Sequence, residues 1–247
     1  MRELDGDERG DIGMIRNIPP VTRTWATLAA VTTGAAQLGM ISPFTLYFNW
    51  NLIMRGEVWR LITPFVYFAS AGPLDMLLHL YFLIRYCRTL EEFHYAGRVA
   101  DMLYMILFGA VCMIAAAPFL GLLFLGDSLS FMTVYVWARR NEHVHMNLFG
   151  LMPFTAPYLP WILLAFSFVM GHSPIPDLVG IVVGHLYYYF VDIYPATSGR
   201  HLLATPHFLR VLCGDIRAQP PAPAPVAGNN PDAPPARPGG FAFGADE

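Results

Sequence analysis

The residues of this sequence that could carry chemistry are few and lie in or beside apolar stretches. Ser128, in Gly126-Asp127-Ser128-Leu129, is a candidate nucleophile that would need an imidazole within hydrogen-bond reach and a nearby oxyanion hole. Asp and Ser at the start of a helix also act as N-caps that bond its orphan amides, and the pair reads first in that way. His185 sits inside an apolar segment, where a polar group is costly and is either functional or satisfied by a hydrogen bond within the bundle. Asp75 and His79 stand four apart and share one helix face, where they could line a hydrated interior or bond one another. Cys87, Cys112 and Cys213 lie far apart without metal-ligand spacing, so neither a disulfide framework nor a metal site is expected, and no cofactor motif is present.

The elements that must position these residues are apolar helices. Of 247 residues 55% are hydrophobic and 13% charged, more apolar surface than one soluble core of this length would bury. A bilayer core of about 30 Å takes about 20 apolar residues in a helix. Six segments come near this: Thr24 to Ile41, Pro73 to Tyr86, Ala100 to Leu120, Leu122 or Asp127 to Trp137, Pro157 to Met170, and Asp177 to Tyr194. The fold expected is an all-α bundle of six transmembrane helices. Its fourth helix is too short to cross an ordinary bilayer alone, so it is expected either to start earlier or to sit shielded at the centre in locally thinned lipid. The first eighteen residues hold no apolar core, so the first helix is expected to serve as an uncleaved signal anchor.

Arginine supplies the orientation, because cationic loops stay cytoplasmic. All fifteen basic residues are arginine, and thirteen fall before the first span, between the second and third, between the fourth and fifth, or after the sixth. Arg55 and Arg60 face the other way. Both termini are therefore expected in the cytosol. The organisation expected is a cytosolic segment 1–23, a membrane domain 24–194 with an interfacial loop 42–68, a cytosolic juxtamembrane segment 195–218, and a flexible Pro/Ala/Gly-rich tail 219–247. A net charge of −3 without a block of like charge gives no reason to expect a nucleic-acid partner.

Several short motifs occur in one order. Glu57-Val58-Trp59-Arg60 precedes Leu-Ile-Thr-Pro in the interfacial loop, where aromatic rings and a snorkelling arginine are stable. Arg85-Tyr-Cys-Arg-Thr-Leu-Glu-Glu92 closes the second segment, and Tyr135-Val-Trp-Ala-Arg-Arg-Asn141, Asn147-Leu-Phe-Gly150 and Tyr158-Leu-Pro-Trp161 follow. Gly180-Ile-Val-Val-Gly184-His185 places two bare backbone patches one helical turn apart, which lets a neighbouring helix pack closely. Taken together these resemble the Derlins, rhomboid-like proteins of endoplasmic-reticulum-associated degradation, over about residues 20 to 212.

The resemblance implies a rhomboid-like bundle whose Gly180/Gly184 pair packs the sixth helix on the short fourth one. It also implies a lost catalytic dyad. Rhomboid proteases carry a histidine three residues before the first of those glycines, where this chain has Asp177, and ungapped alignment through Tyr135 brings Gly126, not Ser128, to the nucleophile position. No catalytic residue is therefore expected; the alternative is an active intramembrane serine protease using Ser128. A small-solute transporter is disfavoured, since the six spans show no obvious internal repeat. By the same resemblance the clients would be misfolded proteins of the endoplasmic reticulum. The expected partners are a membrane ubiquitin ligase complex of the Hrd type, the AAA ATPase valosin-containing protein, and other Derlins in a homo- or hetero-oligomer. Phe241, Phe243 and Gly244 form a fragment of a tail motif that could recruit the ATPase.

Overall fold

The computed structural model describes residues 18–69, 72–148, 152–199 and 202–215. The chain in these residues is mostly helical, and six longer helices stand where the apolar segments lie. These are α1 (Pro20–Gln37), α2 (Pro73–Thr89), α3 (Val99–Leu120), α4 (Gly126–Arg140), α5 (Leu159–Val169) and α6 (Pro174–Tyr188), followed by a short α7 (His207–Cys213). Two helical stretches, Val99–Leu120 and Pro174–Ser198, are long and apolar enough to cross a membrane.

Proline sets several of the starts: α1, α2 and α6 each have it in their first positions, where its fixed φ suits the helix and its missing N–H is no loss. Instead of Thr24, α1 begins at Pro20, because its first turn is held from a distance. Glu91 is buried, and its carboxylate accepts bonds from the Val21 and Thr22 amides at 2.9 and 2.7 Å and from the Thr22 hydroxyl at 2.7 Å. Glu91 reaches this position from a widened turn, Leu90–His94, that continues α2. At the far end of α3, Gly121 adopts φ 66°, a left-handed cap that lacks the Cβ penalty.

The centre of the bundle is α4. Every side chain from Ser128 to Ala138 is buried, and α6 packs most extensively on it, with α2, α3 and α5 around the rest. Its 15 residues span about 22 Å at 1.5 Å each, so it starts near Asp127 and not at Leu122. Outward positions on the surrounding helices are apolar, such as Val31 on α1, Leu77 on α2, Val111 on α3 and Val182 on α6.

One feature lies outside the all-α expectation. Between α4 and α5, β1 (His145–Leu148) and β2 (Met152–Thr155) form an antiparallel hairpin that pairs His145 with Thr155 and Leu148 with Met152. Four-residue strands around a methionine-rich sequence carry too little alternation to be read in advance. Beyond α6, the chain returns to α3: Thr205 donates to Asp101 at 2.6 Å, and the Asp215 carboxylate accepts the amide of Ala100.

Candidate functional site

The connection from α1 to α2 folds as a chain of short helical turns at Pro43–Thr45, Trp50–Ile53, Val58–Leu61 and Thr63–Val66. Its outer rim is apolar and exposed, with Phe44, Trp50, Met54, Trp59 and Ile62 all open to the surroundings. Arg60 behaves differently from the snorkelling anchor expected of it. It is 5% exposed, and its guanidinium bonds Glu57 at 2.6 Å and the carbonyls of Phe44 and Tyr47 at 3.1 and 3.0 Å while lying over the Tyr47 ring. A planar fork with five donors satisfies these acceptors together, so Arg60 is the clamp of the loop and Trp59 its exposed flank.

Gly180 and Gly184 face α4 directly. A Cβ on Gly180 would strike the Ser128 carbonyl and come within 2.6 Å of Phe131 Cβ, and one on Gly184 would meet the Tyr135 side chain at 3.0–3.2 Å. Gly109 on α3 is a third such contact, against Leu129 and Met132, and no spacing in the sequence marks it. His185, next to Gly184, is satisfied within the bundle: Tyr135 Oη lies 2.8 Å from its Nδ1, and Arg139 Nε donates to the same oxygen at 3.0 Å.

The remaining polar residues converge at the end of the bundle where α2, α4 and α6 begin. Each of these helices carries an aspartate in its first turn, Asp75, Asp127 and Asp177, where the helix dipole favours negative charge. Between them stands His79, whose Nδ1 is 2.9 Å from the Asp75 carbonyl and 3.4 Å from its carboxylate, while Nε2 is 3.3 Å from Asp127 Oδ1. His172, from the α5–α6 connection, approaches Asp75 Oδ2 at 3.2 Å. The pairing of Asp75 with His79 and its place in the interior are thus parts of one arrangement. Sequence reasoning missed His172, because it comes from a loop a hundred residues from its partners.

Asp75, His79 and His172 of this cluster close one end of a cavity of about 50 Å3, enough for a few waters. Its walls are Leu78 and Phe82 on α2 and Leu163 and Phe166 on α5, and its floor is Ser130, Phe131 and Val134 on α4. Among the described residues no group of three or more His, Cys, Asp or Glu is arranged to hold a metal ion.

Ser128 lies elsewhere. It is 0% exposed beneath Gly180, and its Oγ has no hydrogen-bond partner. The cap reading of Asp127 and Ser128 gives way as well: α4 begins at Gly126, its cap position is Leu125, and no side chain caps it. Gly126 is itself pressed against backbone, with the Tyr67 carbonyl 2.8 Å from where its Cβ would be. Phe241, Phe243 and Gly244 lie outside the described residues.

At the arginine-bearing end, Arg140 makes a bidentate pair with Asp192 at 3.0–3.3 Å and covers the Tyr95 ring, whose hydroxyl meets that of Tyr187 at 3.2 Å. Burial and the neighbouring Arg140 charge lower the pKa of His94 beside this pair. None of these partners shares a motif in the sequence.

Comparison with known proteins agrees with this architecture. The chain is 45% identical to Derlin-2.1 of Zea mays over 221 residues, covering 83% of the chain and 88% of that protein. It is 42% identical to Derlin-2.2 of Arabidopsis thaliana over 81% of the chain and 86% of that protein. A probable derlin-2 homolog of Dictyostelium discoideum is 41% identical over 83% of each. The Der1-like family model matches residues 18–207, from the start of α1 to the start of α7, and the chain belongs to that family, the Derlins.

Proposed function

We propose that this Derlin is a six-span protein of the endoplasmic-reticulum membrane with both termini in the cytosol, which passes misfolded luminal and membrane proteins to the cytosol for ubiquitin-proteasome degradation without cutting them. The observation that carries this reading is the cavity between α2, α4 and α5, apolar along its walls and polar at one end, on a central helix of about 22 Å. A helix of that length in a bilayer of about 30 Å favours local thinning, which lowers the barrier a polar chain meets in hydrocarbon. The exposed rim of Phe44, Trp50, Met54 and Trp59 suits an interfacial position on the luminal side. The arginines near the ends of α2 and α4 and the start of α3 suit a cytosolic one.

A proteolytic reading finds less support, since Ser128 Oγ is buried without a base. Under it, Ser128→Ala would abolish cleavage of a helical membrane substrate in liposomes; under the proposed reading native protein cuts none. We place the Hrd-type ubiquitin ligase, valosin-containing protein and further Derlin copies as partners on the same family grounds. Deleting residues 239–247 is expected to lower ATPase capture, and unchanged capture would remove Phe241, Phe243 and Gly244 from that role. The decisive test is the half-life of a misfolded membrane protein in cells lacking this chain. It is expected to lengthen severalfold, and unchanged turnover with the ligase intact would overturn the reading.

A further inference from the structure

We propose that the arginine-bearing end of the bundle binds one anionic phospholipid, whose phosphate-bearing polyol headgroup fills the cavity between α3, the end of α6 and the chain that returns to α3. The cavity measures about 670 Å3, far more than a bare anion needs and within the range of pockets for small organic ligands. Its back wall is fixed in advance. Arg140 is held by Asp192 and lies over the Tyr95 ring, and the hydroxyls of Tyr95 and Tyr187 meet at 3.2 Å. Its mouth is less committed. Arg98, just before α3, and Arg210, on α7, both face Asp101, at 3.7 and 3.9 Å, beyond hydrogen-bond length. That aspartate already accepts the Thr205 hydroxyl at 2.6 Å.

Three arginines thus line the cavity against two aspartates, and two of the three share one carboxylate. Guanidinium forks in that state match the oxygens of a phosphate. The aspartates and Tyr104, on the same walls, can accept from the hydroxyl groups of a polyol, which a purely basic pocket could not do. The bilayer is the source of such a headgroup. Arg98 immediately precedes α3, which is long and apolar enough to cross a membrane, so the cavity lies where a span enters the headgroup layer. Exposed Phe208 and Leu212 flank Arg210 in the sequence of α7, and an open apolar surface beside a basic residue suits that same layer. Basic pockets between spans on a cytoplasmic face hold anionic headgroups by this pairing of charge.

The test uses the full chain, stripped of lipid in detergent, with added phosphatidylinositol or phosphatidylcholine and native mass spectrometry to measure the lipid retained. Phosphatidylinositol is expected to bind about tenfold more tightly, the range of two arginine contacts at a membrane surface. Equal retention of the two lipids by the native protein would overturn the inference. Arg98→Gln combined with Arg210→Gln is expected to cut the preference to about twofold. Arg23→Gln combined with Arg85→Gln removes the same charge from the same end outside the cavity and should leave the preference intact. An equal loss from both pairs would reduce the effect to surface charge and overturn the site. Glycerophosphoinositol, the headgroup without its chains, is expected to bind about tenfold more weakly than the lipid. Equal binding would assign the cavity to a soluble ligand and overturn the lipid source.

Discussion

Replacing Glu91 by alanine removes a latch between α1 and α2 whose size can be worked from the structure. One carboxylate accepts three bonds, from the Val21 and Thr22 amides and the Thr22 hydroxyl, all at 2.7–2.9 Å. Such charge-assisted bonds are worth about 1 kcal/mol or more each, net of water, and the orphaned amides at a helix N-terminus add to the loss. A cost of about 3 kcal/mol follows, roughly 100-fold in the equilibrium for α1 lifting away. Cys87 reports this opening, because it is fully buried, lies one turn before Glu91 and touches Thr22. With Cys112 and Cys213 replaced by serine, maleimide labelling of Cys87 in membranes is expected to accelerate about 100-fold in Glu91→Ala. Glu91→Gln, which keeps one acceptor oxygen, should fall between, near tenfold. If Glu91→Ala labels within about threefold of the native protein, the latch is not what seats α1.

Gly180→Ala is expected to cost about 3 kcal/mol or more, because the added methyl meets the α4 backbone, whereas Gly184→Ala, which meets a movable tyrosine ring, should cost about 1 kcal/mol; thermal unfolding in detergent separates them. Arg60→Lys keeps the charge but cannot bond Glu57 and two carbonyls as a planar fork. Limited proteolysis of the loop 42–66 should then quicken about tenfold. His94 is held neutral by burial and Arg140, so its folded pKa lies below that of the unfolded chain. Stability should therefore be full above the ordinary histidine pKa and decline as pH falls through it, and melting curves from pH 7.5 to 5.5 should lose part of that slope in His94→Gln.

How much of this was legible in the sequence depended on the range of the forces involved. Six helices followed from runs of apolar residues, a local property, and the Gly180/Gly184 contact followed from a four-residue spacing that puts both on one face. Asp75 and His79 were readable as a pair for the same reason. Their closure by Asp127 and His172 was not, since those residues arrive from other helices and a loop. The clamp role of Arg60 is not legible, because an arginine among exposed aromatics resembles an interfacial anchor until its backbone acceptors, Phe44 and Tyr47, are in place. The first four residues of α1, Pro20 to Arg23, are not legible locally because the cap, Glu91, is 70 residues from Val21. Nothing near Val21 encodes it.

The tie from Asp215 to the first turn of α3 also gives the fold a schedule. Ala100 and Asp215 are 115 residues apart, so at about 5–20 residues per second the ribosome delivers the partner roughly 6 to 23 s after the helix it caps. The Glu91 latch, by contrast, can close as soon as α2 has emerged. During the interval the Ala100 amide lacks this partner, and a chain broken off before Asp215 would keep it so. Of these two ties, the one at Ala100 is therefore the later to gain its partner, because that partner is made last.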